Sequence, residues 1–254
     1  MNVNPIVFTI GSLEVRWYGI AMAGAVVIGV WYLVTRGKSK GLNEDHLVTM
    51  SLLVVLFGVI GARLMFVAAN FPSWFWEDPI RVFKTYQGGL AWHGGLIGGV
   101  LAAWLYLKYR AHIDFNGVAD LCVPAIAMGY IFIRLANITN QEVMGRMTSF
   151  SFGRWPAQLI AAGISLAMLI RHFLLTRKSL PDGHLFWSFL FYHQVLRAGV
   201  EETIREMPIV VNLYTNTNWG IGLLTMVQVT TLPVLLFIGW ILWFRLRRPK
   251  KLSS

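Results

Sequence analysis

Charged residues are scarce in this chain: Asp, Glu, Lys and Arg make up 13% of its 254 residues, whereas apolar residues make up 56%. The mean hydropathy is +0.57. A soluble domain of this length needs more polar surface, so the composition excludes that class and indicates an integral membrane protein. Linkers rich in Ser, Pro or Gly are also lacking, and we expect a single transmembrane domain over residues 1–254.

Cysteine is almost absent, since Cys122 is the only one, and an internal disulfide is therefore excluded. Cys122 lies within an apolar run, and we interpret it as a core residue rather than a nucleophile. The histidines do not group with acidic residues or cysteine at the spacing of metal ligands, and no glycine-rich nucleotide loop is present. We therefore expect no cofactor and no metal ion.

Long apolar runs are what the chain has in abundance. Seven of them reach the roughly 17 to 25 residues that a transmembrane helix requires. They are centred near residues 26, 58, 99, 127, 165, 190 and 232. The alternating pattern of a membrane β-barrel is absent. The sequence therefore predicts an all-α, polytopic membrane protein with about seven transmembrane helices.

Basic residues predict how these helices are oriented. Short clusters follow the first, third, fifth and seventh runs: Arg36, Lys38 and Lys40; Lys108 and Arg110; Arg171, Arg177 and Lys178; Arg245, Arg247, Arg248, Lys250 and Lys251. Cytoplasmic loops are enriched in Lys and Arg, so we expect the N-terminus outside, on the periplasmic side, and the C-terminus in the cytoplasm. Because the clusters adjoin apolar runs, the net charge of +10 indicates lipid-headgroup contacts and not nucleic-acid binding. The first run lacks the features of a cleavable signal peptide, and we expect it to be retained.

The remaining basic residues are almost all arginine, with Lys84 as the exception. They are Arg16, Arg63, Arg81, Lys84, Arg134, Arg146, Arg154, Arg197 and Arg205. The guanidinium group matches phosphate or carboxylate geometry, so this bias predicts recognition of an anion, with a phosphate of the outer leaflet as the candidate. The alternative is that these side chains snorkel to the interface or pair with nearby acidic residues. That alternative is weakest for Arg63, Arg134 and Arg197, which lie beside or inside apolar runs.

Two further stretches carry polar groups next to apolar runs. Arg134 opens the first, residues 134–146, which also contains several amides, and such groups are costly at membrane depth unless they have a function. His93 opens the second, ahead of the overlapping small-xxx-small pairs Gly94/Gly98 and Gly95/Gly99, which allow close approach of a helix or ligand. Imidazole titrates near neutrality and can accept a proton from a thiol or donate to a phosphate. The alternative for His93 is an ordinary interface residue.

Taken in order, these motifs resemble the prolipoprotein diacylglyceryl transferases, bacterial inner-membrane enzymes of lipoprotein biosynthesis, over nearly the whole chain. The motifs are Arg16-Trp17-Tyr18-Gly19, Gly61-Ala62-Arg63-Leu64, Trp92 to Gly99, Ala119-Asp120-Leu121, Arg134 to Gly145, Pro156-Ala157-Gln158-Leu159 and Leu224 to Gln228. Each is weak alone, but their ordered occurrence is specific. The resemblance implies transfer of the diacylglyceryl group of phosphatidylglycerol to the thiol of a lipobox cysteine, forming a thioether and releasing glycerol phosphate.

The resemblance also implies partners and roles. The partners are phosphatidylglycerol, entering from the bilayer, and the signal peptide of a prolipoprotein. The implied catalytic residues are His93, Arg134 and Arg197, and the implied substrate-binding residues are Arg134, Tyr18, Arg63, Asn137, Asn140, Glu142, Gly145 and Glu201. Glu201 lies one α-helical turn after Arg197 and is expected to orient it. Glu202 with Arg205 is a competing alignment.

The resemblance suggests a divergent member of the prolipoprotein diacylglyceryl transferase family. Departures from the usual pattern stand at Ile133, Ile138, Thr139, Trp155 and Val227. None removes a charge from the expected phosphate site. Two other classes stay open: a catalytically altered relative that binds anionic lipid or signal peptide without turnover, and a transporter or channel, although the paired inverted repeats typical of transporters are not displayed.

Overall fold

The computed structural model describes residues 5–11, 13–70, 79–83, 89, 91–211 and 213–245. These residues are mostly helical and contain eight α-helices. The helices are α1 (Trp17–Ser39), α2 (Glu44–Asn70), α3 (Trp92–Tyr106), α4 (Phe115–Thr139), α5 (Ala157–Leu175), α6 (His184–Leu196), α7 (Glu202–Ile204) and α8 (Met226–Trp240). Three of them run on into π-helical turns, at Leu107–Ala111 after α3, Arg197–Glu201 after α6 and Ile241–Arg245 after α8, and a 3₁₀-helix covers Pro79–Phe83.

Five helices in the described part of the chain are long and apolar enough to cross a membrane. They are α1, α2 as far as Ala68, α4, α5 and α8 extended to Phe244. Their outward faces are apolar, as Val27 (67% exposed), Leu52 (66%) and Leu236 (76%) illustrate. This confirms a helical membrane protein. The apolar runs near residues 99 and 190 form the shorter helices α3, of 15 residues, and α6, of 13 residues.

Two small antiparallel sheets accompany the helices. Strands β1 (Ile6–Ile10) and β2 (Leu13–Arg16) form the first, and β3 (Thr215–Asn216) and β4 (Ile221–Gly222) form the second. These strands were not predicted, because strands of two to five residues carry too little periodicity to be recognised in a sequence.

The chain divides into two compact units, one formed by Met1–Tyr32 with Ala119–Ser254 and the other by Leu33–Val118. In the second unit, α2 and α3 pack through glycine. A Cβ added at Gly61 would overlap the carbonyl oxygen of Gly94, and one added at Gly98 would overlap that of Phe57. The two helix backbones are therefore in direct contact, which is the close approach that small-xxx-small pairs permit.

In the first unit, Asp120 of α4 holds the beginning of α6. Its carboxylate oxygens accept hydrogen bonds from the backbone N–H groups of Gly183 (2.8 Å) and Phe186 (2.7 Å). These are donors that the helix itself leaves unpaired at its first turn. Small buried residues, among them Ala157 and Ala161 of α5, form part of the core beside these helices. Asp120 thus sets where α6 starts relative to α4, and with it the position of the polar residues at the far end of both helices.

Candidate anion-binding site

The segment between α4 and α5, residues 140–156, is here called the signature loop. Gln141 and Val143 have φ of 55° and 58°, which places both in the left-handed region. This conformation is especially unusual for Val143, because its side chain is β-branched. The surroundings hold this backbone in place. The N–H of Glu142 donates to the carbonyl oxygen of Asn137 (3.0 Å), and Gln158 Nε2 donates to the carbonyl oxygen of Glu142 (2.8 Å). Strained backbone of this kind persists where packing over-determines it and is common at functional sites.

Gly145 lies buried where the signature loop meets the chain after α6. It forms a β-bridge with Arg205, and the N–H of Arg146 donates to the carbonyl oxygen of Ile204 (2.7 Å). A Cβ at Gly145 would overlap the backbone carbonyl of Trp155. The structure thus gives a reason for glycine at this position, which is the lack of space for a side chain. The left-handed residues of the loop stand elsewhere.

Arg134 forms a buried ion pair on the last turns of α4. Its Nη2 lies 2.5 Å from Oε1 of Glu201, and their side chains are 7% and 1% exposed. The same Nη2 donates to the hydroxyl oxygen of Tyr130, and that hydroxyl donates to Oε2 of Glu201 at 2.9 Å. Burial of a charged pair is costly unless hydrogen bonds compensate it, and here the Tyr130 hydroxyl group adds one hydrogen bond to each partner.

Glu201 does not orient Arg197, so the pairing predicted from α-helical spacing is wrong. Residues Arg197–Glu201 form a π-helical turn, in which hydrogen bonds run from i to i+5. The wider turn brings Arg197 next to Glu202 (3.5 Å) and directs Glu201 toward Arg134. Glu202 also accepts from Arg205 Nη1 at 3.1 Å. Of the two alignments weighed from the sequence, only the pairing of Glu202 with Arg205 is present, and Glu202 is shared between Arg205 and Arg197.

The arginines of this cluster retain unused donors. The buried Nε atoms of Arg134, Arg146, Arg197 and Arg205 have no hydrogen-bond partner among the described residues. Buried donors are rarely left unpaired in folded proteins. The linked pairs contain three arginines, Arg134, Arg197 and Arg205, and two glutamates, so one positive charge is uncompensated. The cluster has the donors and the charge to hold a monoanion.

Other predicted residues surround this cluster within the same unit. Tyr18, at the start of α1, interacts electrostatically with Arg134 and Glu142. Asn137 is 3% exposed on α4, three residues after Arg134. Oδ1 of Asn140 is buried without a hydrogen-bond partner in the part of the chain that the structure describes.

Two predicted residues belong to the other unit. Arg63 is 7% exposed, and it donates to the carbonyl oxygens of Val82 (Nε, 2.8 Å) and Gly89 (Nη1, 2.9 Å). These bonds attach the segment after α2 to that helix. His93 is the second residue of α3, and its side chain lies outside the described residues. The roles predicted for Arg63 and His93 remain predictions.

Sequence reasoning missed two polar residues that build the site. Tyr130 stands four residues before Arg134, on the same helix face, and this spacing was a usable signal. Gln228 is the third residue of α8 and forms a capping box with Thr225, a pattern readable as Thr-x-x-Gln. Its Nε2 also donates to the carbonyl oxygen of Ala198 (2.8 Å) and to Oγ1 of Thr203 (3.2 Å), so Gln228 joins α8 to the π-helical turn that carries Arg197.

Comparisons with known proteins find relatives that match nearly the whole chain. Residues 5–244 match the family model described as prolipoprotein diacylglyceryl transferase. A protein of Caldanaerobacter subterraneus subsp. tengcongensis, named phosphatidylglycerol–prolipoprotein diacylglyceryl transferase, is 45% identical over 98% of this chain and 97% of its own length. Proteins of the same name from Thermoanaerobacter sp. strain X514 and Deinococcus radiodurans are 44% and 30% identical, over 98% and 99% of this chain and 97% and 88% of their own lengths.

Proposed function

Because this chain belongs to the prolipoprotein diacylglyceryl transferase family, we propose that it transfers the diacylglyceryl group of phosphatidylglycerol to the lipobox cysteine of bacterial prolipoproteins. It is then a multi-pass transferase of the bacterial inner membrane that acts in lipoprotein biosynthesis by protein lipidation. Its two partners are phosphatidylglycerol, reached through the bilayer, and the signal peptide of the prolipoprotein. No cofactor takes part in this proposal.

The observation that carries the proposal is the cluster of Arg134, which is buried, with the partly buried Arg197 and Arg205. Arg134, Arg197 and Arg205 are only partly neutralised by Glu201 and Glu202, which leaves one positive charge. The phosphodiester of phosphatidylglycerol carries one negative charge. The unpartnered Nε donors of all three arginines are suited to its oxygens, because hydrogen bonds between guanidinium and phosphate are charge-assisted.

These arginines stabilise the reaction most when the leaving group departs, because negative charge then develops on the phosphate. The sulfur of the peptide thiolate attacks the glycerol carbon that bears the phosphate, and a carbon–sulfur bond forms. The carbon–oxygen bond to the phosphate breaks, and its electron pair stays on the oxygen of the departing glycerol phosphate. Negative charge therefore grows on the phosphate in the transition state, where fixed guanidinium donors stabilise it more than in the ground state.

The thiol proton requires an acceptor. A free thiol has a pKa of about 8.5, and the thiolate is the nucleophile, so a base raises the reactive fraction. His93 is our candidate for this base. It stands in the first turn of α3, at the end of the helix that the expected orientation places on the outer side. Tyr18, Asn137, Asn140, Glu142, Gly145 and Arg63 are proposed to bind or enclose the substrates.

We also propose that residues 1–254 act as one transmembrane domain with seven spans. The five long helices supply five of them. The 15 residues of α3 and the 13 residues of α6 each continue into a five-residue π-helical turn, and these extended helices supply the other two. With basic clusters in the cytoplasm and the N-terminus outside, the end of α4 and the end of α6 lie on the outer side. Arg134 and Glu201 are then near the outer leaflet.

The test is transfer of labelled diacylglyceryl from phosphatidylglycerol to a synthetic lipobox peptide by the purified protein in detergent. Arg134→Ala is compared with Arg110→Ala, because Arg110 is an exposed arginine at the end of α3 that loses the same side chain. A peptide with serine in place of the lipobox cysteine tests the nucleophile. We expect transfer by the wild type and Arg110→Ala, and none by Arg134→Ala or to the serine peptide.

Absence of transfer by a folded wild-type protein that still binds phosphatidylglycerol would overturn the proposal and favour the relative without turnover. Equal transfer by Arg134→Ala and Arg110→Ala would leave the reaction standing and remove the arginine cluster as its anion site.

A further inference from the structure

Tyr130 makes two different contacts with Arg134. The guanidinium carbon of Arg134 lies 4.6 Å from the centroid of the Tyr130 ring, within cation–π distance. The hydroxyl oxygen of Tyr130 accepts a hydrogen bond from Nη2 of the same guanidinium group. One side chain therefore supports the face of the guanidinium group and fixes one of its nitrogens.

Glu201 completes a closed set of three residues. Its Oε1 accepts from Arg134 Nη2 at 2.5 Å, and its Oε2 accepts from the Tyr130 hydroxyl at 2.9 Å. Arginine and carboxylate often pair through two parallel hydrogen bonds that use two guanidinium nitrogens. Here the second carboxylate oxygen is occupied by Tyr130. The ion pair consequently uses only Nη2, and the donors on Nε and Nη1 stay outside it.

We propose that Tyr130 is a positioning residue for the transfer reaction. By occupying Oε2 of Glu201, it prevents Glu201 from forming a bidentate ion pair with Arg134 and so leaves Nε and Nη1 of Arg134 for the lipid phosphate. The inference rests on the proposed function. A guanidinium group has five N–H donors in a rigid plane, so fixing Nη2 and one face also fixes the direction of the three donors on Nε and Nη1. Nε of Arg134 is buried and has no partner among the described residues.

The Tyr130 ring is itself held by His193, which a residue of a third helix holds in turn. His193 of α6 packs edge-on against it, with ring centroids 4.9 Å apart and an interplanar angle of 84°. Nε2 of His193 lies 3.1 Å from Oγ of Ser165 on α5, and these two side chains are buried. The ring therefore has little freedom to turn, and the hydroxyl group stays between Arg134 and Glu201.

Tyr130→Phe tests the inference, because it removes the hydroxyl group and keeps the ring. Glu201 is then free to bind two nitrogens of Arg134 and withdraw donors from the phosphate. We expect kcat/KM for transfer to fall roughly ten- to hundredfold, the range that corresponds to one hydrogen bond to a charged group. The fall should be larger in kcat than in KM, since the lost donors act on charge that grows in the transition state.

Tyr109→Phe is the matched control. Tyr109 is 58% exposed in the π-helical turn after α3, and its ring contacts Lys108 and Trp104. Its hydroxyl group makes no hydrogen bond within the part of the chain that the structure describes. Transfer at the wild-type rate is expected for this variant. The midpoint of thermal unfolding should differ little between the two phenylalanine variants, because a new bidentate Arg134–Glu201 pair replaces the lost bond.

A double-mutant cycle separates positioning from packing. In Tyr130→Phe combined with Glu201→Gln, the neutral amide cannot form the bidentate ion pair, so the double variant should lose less activity than the product of the two single losses. Strictly multiplicative losses, wild-type activity of Tyr130→Phe, or activity lost only in proportion to folded protein would each overturn the inference.

The inference can fail separately from the proposed function. If the wild type catalyses no transfer, the proposed reaction fails, and the affinity for nanodiscs containing phosphatidylglycerol replaces turnover as the measurement. Affinity that falls in Tyr130→Phe and not in Tyr109→Phe would then support the positioning of Arg134 toward phosphate. Equal affinities would overturn it.

Discussion

Nη2 of Arg134 lies 2.5 Å from Oε1 of Glu201, although the two residues are 67 positions apart in the chain. The pair joins the end of α4 to the π-helical turn after α6, and its side chains are 7% and 1% exposed. Neither residue has a charge partner within its own helix, so each depends on the tertiary structure for its counter-charge.

Glu201→Gln should destabilise the protein markedly. The substitution preserves shape and leaves the buried guanidinium group of Arg134 without its counter-charge, a change that typically costs about 3–5 kcal/mol. The thermal unfolding midpoint in detergent, without phosphatidylglycerol, measures the effect. Glu14→Gln is the control, because Glu14 pairs with Arg16 on the surface, and such exposed pairs contribute about 0–1 kcal/mol. Equal shifts for the two variants would contradict the buried pair.

Gln228→Ala should destabilise the protein and slow transfer together. It removes the capping box of α8 and the bonds to Ala198 and Thr203, leaving buried groups unpaired at a cost of about 1–3 kcal/mol. The π-helical turn that carries Arg197 loses this support, so kcat/KM should also fall. Thr230→Ala, an exposed change on the same helix, is expected within about 0.5 kcal/mol of wild type. If Gln228→Ala behaved like Thr230→Ala, the connection between α8 and this turn would be unimportant.

Gly98→Ala should separate α2 from α3. The added Cβ would overlap the carbonyl of Phe57, and backbone cannot rotate away as a side chain can, so we expect a loss of about 1–3 kcal/mol or more. Gly163→Ala in α5 is the control, because open space surrounds that position. Alanine there should stabilise the helix by up to about 1 kcal/mol. Urea or thermal unfolding of both variants measures the difference, and a neutral Gly98→Ala would show that the contact between these helices can relax.

Gly145→Ala should reduce both transfer and stability. Gly145 is buried, and its added Cβ would overlap the backbone carbonyl of Trp155 and displace the signature loop. Arg146 and Arg205 move with the loop, since Gly145 bridges Arg205 and the N–H of Arg146 bonds Ile204. We expect kcat/KM to fall about tenfold or more, as small misplacements in a site commonly produce. Activity that falls only with the folded fraction would contradict this role for the loop.

Much of the fold could be predicted because membrane helices are encoded locally. An apolar run long enough to cross a bilayer must satisfy its own backbone hydrogen bonds, and a helix does so without help from distant residues. The five long helices were recognisable on this basis. The short strands β3 and β4 were not, since two residues show no period. The lengths of α3 and α6 also differed from their apolar runs, because π-helical turns replace α-helix at their ends.

Part of the candidate site could be predicted from single residues, because a charged side chain beside an apolar run carries a free-energy cost that is visible in the sequence. Arg134 stood out because a charge at the end of an apolar run requires a reason, whichever residues surround it. The partner of Arg197 was predicted wrongly because the argument assumed 3.6 residues per turn, whereas the π-helical turn places Glu202 beside Arg197. Tyr130 was overlooked because a tyrosine in an apolar helix is unremarkable until its hydroxyl group is seen between Arg134 and Glu201.

The sequence by itself determined the membrane class, the helical architecture and the presence of Arg134, because burial costs and hydrophobic length depend on composition within one segment. Only the tertiary structure decided which carboxylates neutralise which arginines and which donors remain open. Those pairings join residues far apart in the chain, at distances of a few ångströms, and they depend on where α4, α6 and the π-helical turn meet.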